Sequence, residues 1–274
     1  MPDATPFLSP APPAGPRLGP DSEFDFRCGP DLDCFARCCR DVSIVLTPYD
    51  VLRMKRALHM DSSTFLDTYT VAIDRPNGKF PVFVRMDPET LQCPFLTGAG
   101  CSIYADRPWA CRMYPLGVAE PRQPAPGQTG FYFLIQEELC HGHGKAKACT
   151  VRSWLAGQGL EEYELMEAPF KQLMLNEFWE KGEALSPEKV GMYFMASYDL
   201  DRFRRFVFQT KFMSYLDVDE ARMDAIREDD EELLDLAMEW LRFSLFGERT
   251  MKLRKPVPIG DPRSTANAAG ETAR

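Results

Sequence analysis

All nine cysteines of the chain fall between Cys28 and Cys149, and most of them are grouped. Cys28, Cys34, Cys38 and Cys39 come just before a strong helix start at Thr47, and Cys93, Cys101 and Cys111 share a loop-rich stretch. Cys140 and Cys149 bracket "CHGHGKAKAC". Any fold of this chain has to place these thiols. An odd number cannot all pair within one chain. The first residues, "MPDATPFLSPAPPAGPRLGPDSEF", have no basic start and no continuous apolar run, so they do not read as a secretory signal. No segment approaches the roughly 20 apolar residues that span a bilayer. The expected setting is therefore cytoplasmic, without a membrane, where disulfides are rare. Thiols in that setting read as metal ligands or redox groups.

The formal net charge of −9 argues against a general phosphate-seeking surface, so no general nucleic-acid binding is expected. Residues 1–22 and 254–274 are poor in large apolar groups and read as disordered arms. Between them the composition changes once, which places a cysteine-cluster metal-binding domain at 23–159 and a helical region at 160–253. The fold class expected is mainly α, with a small irregular α+β cysteine-rich metal-binding domain followed by a helical region. A protein partner, where one is held, is expected on that helical region.

Local signals support this order. Thr47, Pro48 and Asp50 make a capping-box start, and Ser62 or Ser63 can cap a second helix through Tyr69. "FPVFVRMD", "DPET" and "LQCPFL" read as strand, turn and return, and "FYFLIQ" as another strand. "AEPRQPAPGQTG" is a loop by composition. Thr150 caps a helix ending near Gly157, a longer helix with a kink at Pro169 follows, and Ser186-Pro187-Glu188 begins another. Phe203, Phe206, Val207 and Phe208 mark an apolar helix face, and Gly247 suits a C-cap. "EDDEE" at 228–232 reads as a solvated face.

The candidate metal ligands are Cys28, Cys34, Cys38, Cys39, Cys93, Cys101, Cys111 and Cys140. Thiolates suit soft or borderline metals, and the cofactor expected is an iron–sulfur cluster, with a zinc or iron ion as the alternative and metal-free thiol chemistry also open. The chain has no C-x2-C, and the adjacent pair Cys38-Cys39 is awkward for one tetrahedral ion, because neighbouring side chains tend to point apart. Cys93-Pro94 is similar to the end of ferredoxin cysteine runs. The C-x3-C-x2-C loop of radical S-adenosylmethionine enzymes fails at Asp41. His141 and His143 read as exposed loop histidines, and His59 as a partner of the helix C-terminus. Arg107 and Arg112 either balance thiolate charge or brace their own loop. The "TGAGC" glycines read as a tight turn before Cys101.

Taken together, "C…CFARCC", "IVLTPYDVLRM", "CPFL", "CSIYADRPWACRMYP" and "CHGHG" resemble the YkgJ-type cysteine-cluster family, the CxxCxxCC zinc- or iron-chelating domain, over about residues 25–155. The resemblance implies metal binding through the eight cysteines named. The spacing departs from it: this chain reads C-x5-C-x3-CC, which makes Cys28 the least secure ligand of its set. Cys149 has no counterpart in that pattern. Flagellin lysine N-methylases resemble the same domain, which keeps a protein side-chain modifying enzyme open as an alternative, as does a structural zinc interaction module. No glycine-rich motif independently supports S-adenosylmethionine binding.

Overall fold

The computed structural model describes residues 15–73, 80–121, 126, 129–181 and 184–254. Residues 1–14 of the arm expected at 1–22, residues 255–274 of the tail expected at 254–274 and most of the loop near 122–128 lie outside the described residues.

The capping box at Thr47 forms. The Thr47 hydroxyl accepts the Asp50 N–H at 3.1 Å, and Asp50 accepts the Thr47 N–H at 2.9 Å. It starts α1 (Pro48–Ala57), followed by α2 (Ser62–Tyr69), whose cap is Asp61 rather than a serine. Further on come α3 (Trp109–Met113), α4 (Val151–Gly157, capped by Thr150) and α5 (Leu160–Met174), which continues through Pro169. The last four helices are α6 (Pro187–Ser197, capped by Ser186), α7 (Leu200–Gln209), α8 (Glu220–Glu228) and α9 (Asp230–Phe246). Gly247, with φ 71°, closes α9.

The strands are short: β1 (Glu23–Phe24), β2 (Val45–Leu46), β3 (Thr70–Ala72), β4 (Val82–Val84), β5 (Leu96–Thr97), β6 (Gly100–Cys101), β7 (Leu116–Ala119), β8 (Phe131–Leu134) and β9 (Cys149–Thr150). They pair antiparallel as β2-β4-β3, β1-β9, β5-β6 and β7-β8. The hairpin expected from "FPVFVRMD" and "LQCPFL" does not form. β4 is buried at all three residues and lies between β2 and β3, so its hydrogen bonds are taken on both sides. The chain does turn at 87–92, where Asp87 N–H donates to the Gln92 carbonyl at 2.9 Å, but the return strand pairs with β6 instead.

The main core joins both halves of the chain. Tyr49, Leu52 and Met54 of α1 and Phe65 of α2 pack with Tyr163 of α5, Tyr193 of α6, Phe203 of α7 and Leu233 to Leu241 of α9. A boundary near 160 therefore does not separate two cores. Charge reinforces the joint. Buried Lys55 bridges Asp201 at 2.9 Å and Asp230 at 3.3 Å, and Arg56 and Arg204 also reach Asp230. The acidic run at 228–232 is thus not only a solvated face, because Asp230 is half-buried and holds three cations. Asp199 and Asp201 bond Ser62, so α7 and α2 cap each other.

A second, smaller core contains Leu18, Phe24, Phe26, Met113, Leu116, Val151 and Leu160. Residues 15–22 are not a free arm: Leu18 is buried and exchanges backbone bonds with Tyr132 at 2.7 and 2.9 Å. No helix among the described residues is long and apolar enough to cross a membrane.

Candidate metal centre

The cysteines meet where α1, α3 and the loops before β2 converge. Cys38 and Cys39 lie in a 3-10 turn, Arg37–Cys39, between Ala36 at φ 61° and Asp41 at φ 50°. Such left-handed backbone costs roughly 1–2 kcal/mol per non-glycine residue. The two adjacent thiols in this tight turn are hydrogen-bonded to each other.

Cys39 faces the main core. Its carbonyl accepts the Cys93 N–H at 2.9 Å, which joins the first cysteine set to the second. From Cys93 the chain enters the β5-β6 hairpin, where Leu96 pairs with Cys101. Gly100 makes that turn at φ 111°, beside the Phe35 ring. Cys111 sits on α3, whose first N–H, that of Trp109, donates to Asp50 at 2.7 Å. The carboxylate that caps α1 thus also anchors α3. Cys93 is part of the main core, and Cys39, Cys101 and Cys111 pack against it.

Cys28, Cys34 and Cys140 gather on the other side. The Arg27 N–H donates to the Gly142 carbonyl at 3.0 Å, and Phe26 bridges His143. A side chain at Gly142 would meet the Arg27 carbonyl oxygen at 2.3 Å, so only glycine allows this approach. It brings Cys28 beside Cys140. The His141 N–H donates to Cys34 Sγ at 3.2 Å, and His141 Nδ1 lies 2.8 Å from Asp33. Cys140 packs against the smaller core. Cys34 is buried, whereas Cys28 and Cys38 are exposed.

The electrostatics divide the thiols the same way. The Cys38–Cys39 hydrogen bond holds Cys39 below the ordinary thiol value and Cys38 above it. Opposing the drop in Cys39 are its burial and the thiols of Cys93, Cys111 and Cys101. Burial pushes Cys111 up to about 12, and the charges of Asp50, Cys93 and Cys101 add to that. Cys28 is raised by partial burial and then by Cys38, Cys34 and Cys140. A bound cation would oppose the upward shifts of Cys28, Cys38 and Cys111, because thiolate ligands must lose their protons.

Both roles weighed for the arginines occur. Arg112 braces its loop: it donates to the carbonyls of Arg107 at 3.0 Å, Gln158 at 2.6 Å and Ala105, over the Tyr163 ring. Arg107 donates to the Tyr104 carbonyl and to Gln158, and its charge favours ionisation of Cys28, Cys101 and Cys111. His141 remains exposed, but His143 is half-buried against the Phe26 ring, with Nε2 enclosed and unpaired, so its reading as an exposed loop residue is corrected. His59 is exposed just past α1, at φ 52°. Cys149 lies in β9 against the smaller core, and the charge it feels is that of Asp25. Sequence reasoning missed Asp33, whose carboxylate, with Cys34 and His141, forms a group of donor atoms all within 4.8 Å of one another. The signal was an acidic residue next to a candidate ligand. Gly142 was missed as well, although it sits inside "CHGHG".

All nine cysteines are free thiols, eight are gathered around the Cys38-Cys39 turn, and a guanidinium stands beside them. That donor set fits a thiophilic metal. A family model described as "CxxCxxCC: Putative zinc- or iron-chelating domain" matches residues 27–149. Residues 27–149 are thus similar to that zinc- or iron-chelating domain. No curated protein and no solved structure matches the chain. The matched stretch covers every one of the clustered thiols, and α4 to α9 lie outside it.

Proposed function

We propose that the CxxCxxCC domain holds iron–sulfur chemistry through Cys28, Cys34, Cys38, Cys39, Cys93, Cys101, Cys111 and Cys140, for electron transfer or redox sensing in the cytoplasm. The observation that carries this reading over a lone zinc ion is the number of thiols: eight free cysteines lie in one neighbourhood, twice the four that a single structural zinc ion takes. An iron–sulfur cluster is held by several thiolates at varied spacing. When bound, it supplies one-electron redox chemistry whose potential depends on hydrogen bonds to sulfur and on exposure. This chain contributes both: the His141 N–H on Cys34, and a range from buried Cys93 to exposed Cys28.

The test is iron, zinc and acid-labile sulfide analysis of protein prepared without oxygen, with its visible spectrum. Iron and sulfide in equal amounts with broad visible absorption are expected. A colourless protein containing zinc and no sulfide overturns the proposal.

A further inference from the structure

We infer that the eight thiols form two separate four-cysteine sites, Cys39 with Cys93, Cys101 and Cys111, and Cys28 with Cys34, Cys38 and Cys140, so that a loaded chain carries two metal centres. This rests on the metal-binding reading of those thiols and extends it to number and partition.

Four contacts support the partition. The Cys39 carbonyl to Cys93 bond and the Leu96–Cys101 pairing seat the first group on the main core. The Arg27 to Gly142 bond and the His141 to Cys34 bond assemble the second group on a different pair of loops. The Cys38-Cys39 turn is the seam between them: the two adjacent thiols are hydrogen-bonded to each other, while Cys39 also feels Cys93, Cys101 and Cys111 and Cys38 lies within electrostatic reach of Cys28. The groups mix the order of the chain, since Cys39 leaves its sequence neighbours and Cys140 joins them.

Charge supports the same count. Eight thiolates around one divalent centre would leave a net charge of about −6, whereas four around each of two leave about −2 apiece, the usual load of a four-thiolate site. Arg107 lies within electrostatic reach of Cys28 on one side and of Cys101 and Cys111 on the other. It serves as a cation common to both.

Native mass spectrometry of the full chain, reconstituted with iron and sulfide without oxygen, reads the count directly. It is combined with metal analysis of Cys101→Ala, Cys28→Ala and the double variant. The wild type is expected to carry two equal increments. Each single variant should lose half of the metal, with the remaining spectrum unchanged in shape, and the double variant should lose all of it. One increment in the wild type overturns the partition, as does complete loss in a single variant whose far-ultraviolet circular dichroism is unchanged. Where a variant loses its helical signal, the wild-type count alone decides. A wild type that takes up no metal at all overturns the metal-binding reading itself, which is a distinct result.

Discussion

The two thiol groups are built on different supports. Cys39, Cys93, Cys101 and Cys111 rest against a core that runs through α1, α5, α6, α7 and α9. Cys28, Cys34, Cys38 and Cys140 rest on loops held by backbone bonds, a close glycine contact and a small aromatic core around Phe26. Two members of the second group are exposed, and none of the first is. The first group is thus positioned by packing that exists without any ligand. The second depends far more on the ligand itself, since a loop with few buried contacts opens at little cost.

That contrast can be attacked from the core outward. The largest effect is expected from Phe203→Ala. Phe203 is fully buried among Phe206, Phe212 and Trp240, and such deletions cost about 3–5 kcal/mol. Urea unfolding should show the helices and both thiol groups lost together, and a variant that loses only the second half of the chain would split the shared core.

Gly142→Ala comes next. The new methyl cannot share space with the Arg27 carbonyl, and overpacking of this kind costs about 1–3 kcal/mol. Metal content should fall by about half while helical circular dichroism persists, because the disturbance is confined to the second group. Unchanged metal content would show that the close approach of the two loops is not needed.

A smaller, pH-dependent effect tests the support behind the first group. Asp50 and Glu167 face each other across Thr47, and burial raises their carboxyls to about 6 and about 8 respectively. The folded state therefore holds protons that the unfolded chain releases. The contribution to stability is complete below the ordinary carboxylate range and is lost as pH rises through those values. Glu167→Gln keeps an acceptor for the Thr47 hydroxyl and removes the charge. It should melt close to the wild type near pH 5 and several degrees above it near pH 9; parallel melting curves across that range would remove the buried pair from the account.

The smallest effect is expected for Cys149→Ser. Its thiol stands apart from both groups, so metal per chain should equal that of the wild type. A loss comparable to that of Cys28→Ala would make Cys149 a ninth participant.

What could be read in the sequence was local chemistry. The Thr47–Asp50 box, the Thr150 and Ser186 caps and the Gly247 stop each depend on residues within one turn, and all form. The β4 partners could not be read that way, because β2 and β3 lie on either side of two helices in the chain. Nor could Asp230 be distinguished from its acidic neighbours, since its cations come from α1 and α7. The thiols are intermediate. Their chemistry was legible; that the adjacent Cys38 and Cys39 thiols meet rather than point apart was not, and neither was the exchange of Cys39 for Cys140 between groups, because it depends on long-range loop contacts at Cys93 and Gly142.

The joining of both halves in one core also sets an order in time. The last thiol of the first group, Cys111, is synthesised well before Leu233 to Leu241, which complete the core behind it. At 5–20 residues per second, a ribosome needs on the order of ten seconds to cross that interval. During it, these thiols are in existence but unsupported, open to stray metals and oxidants. Their capture in native form must therefore wait for nearly the whole chain, and a nascent chain stalled before α9 would present reactive sulfur with nothing behind it.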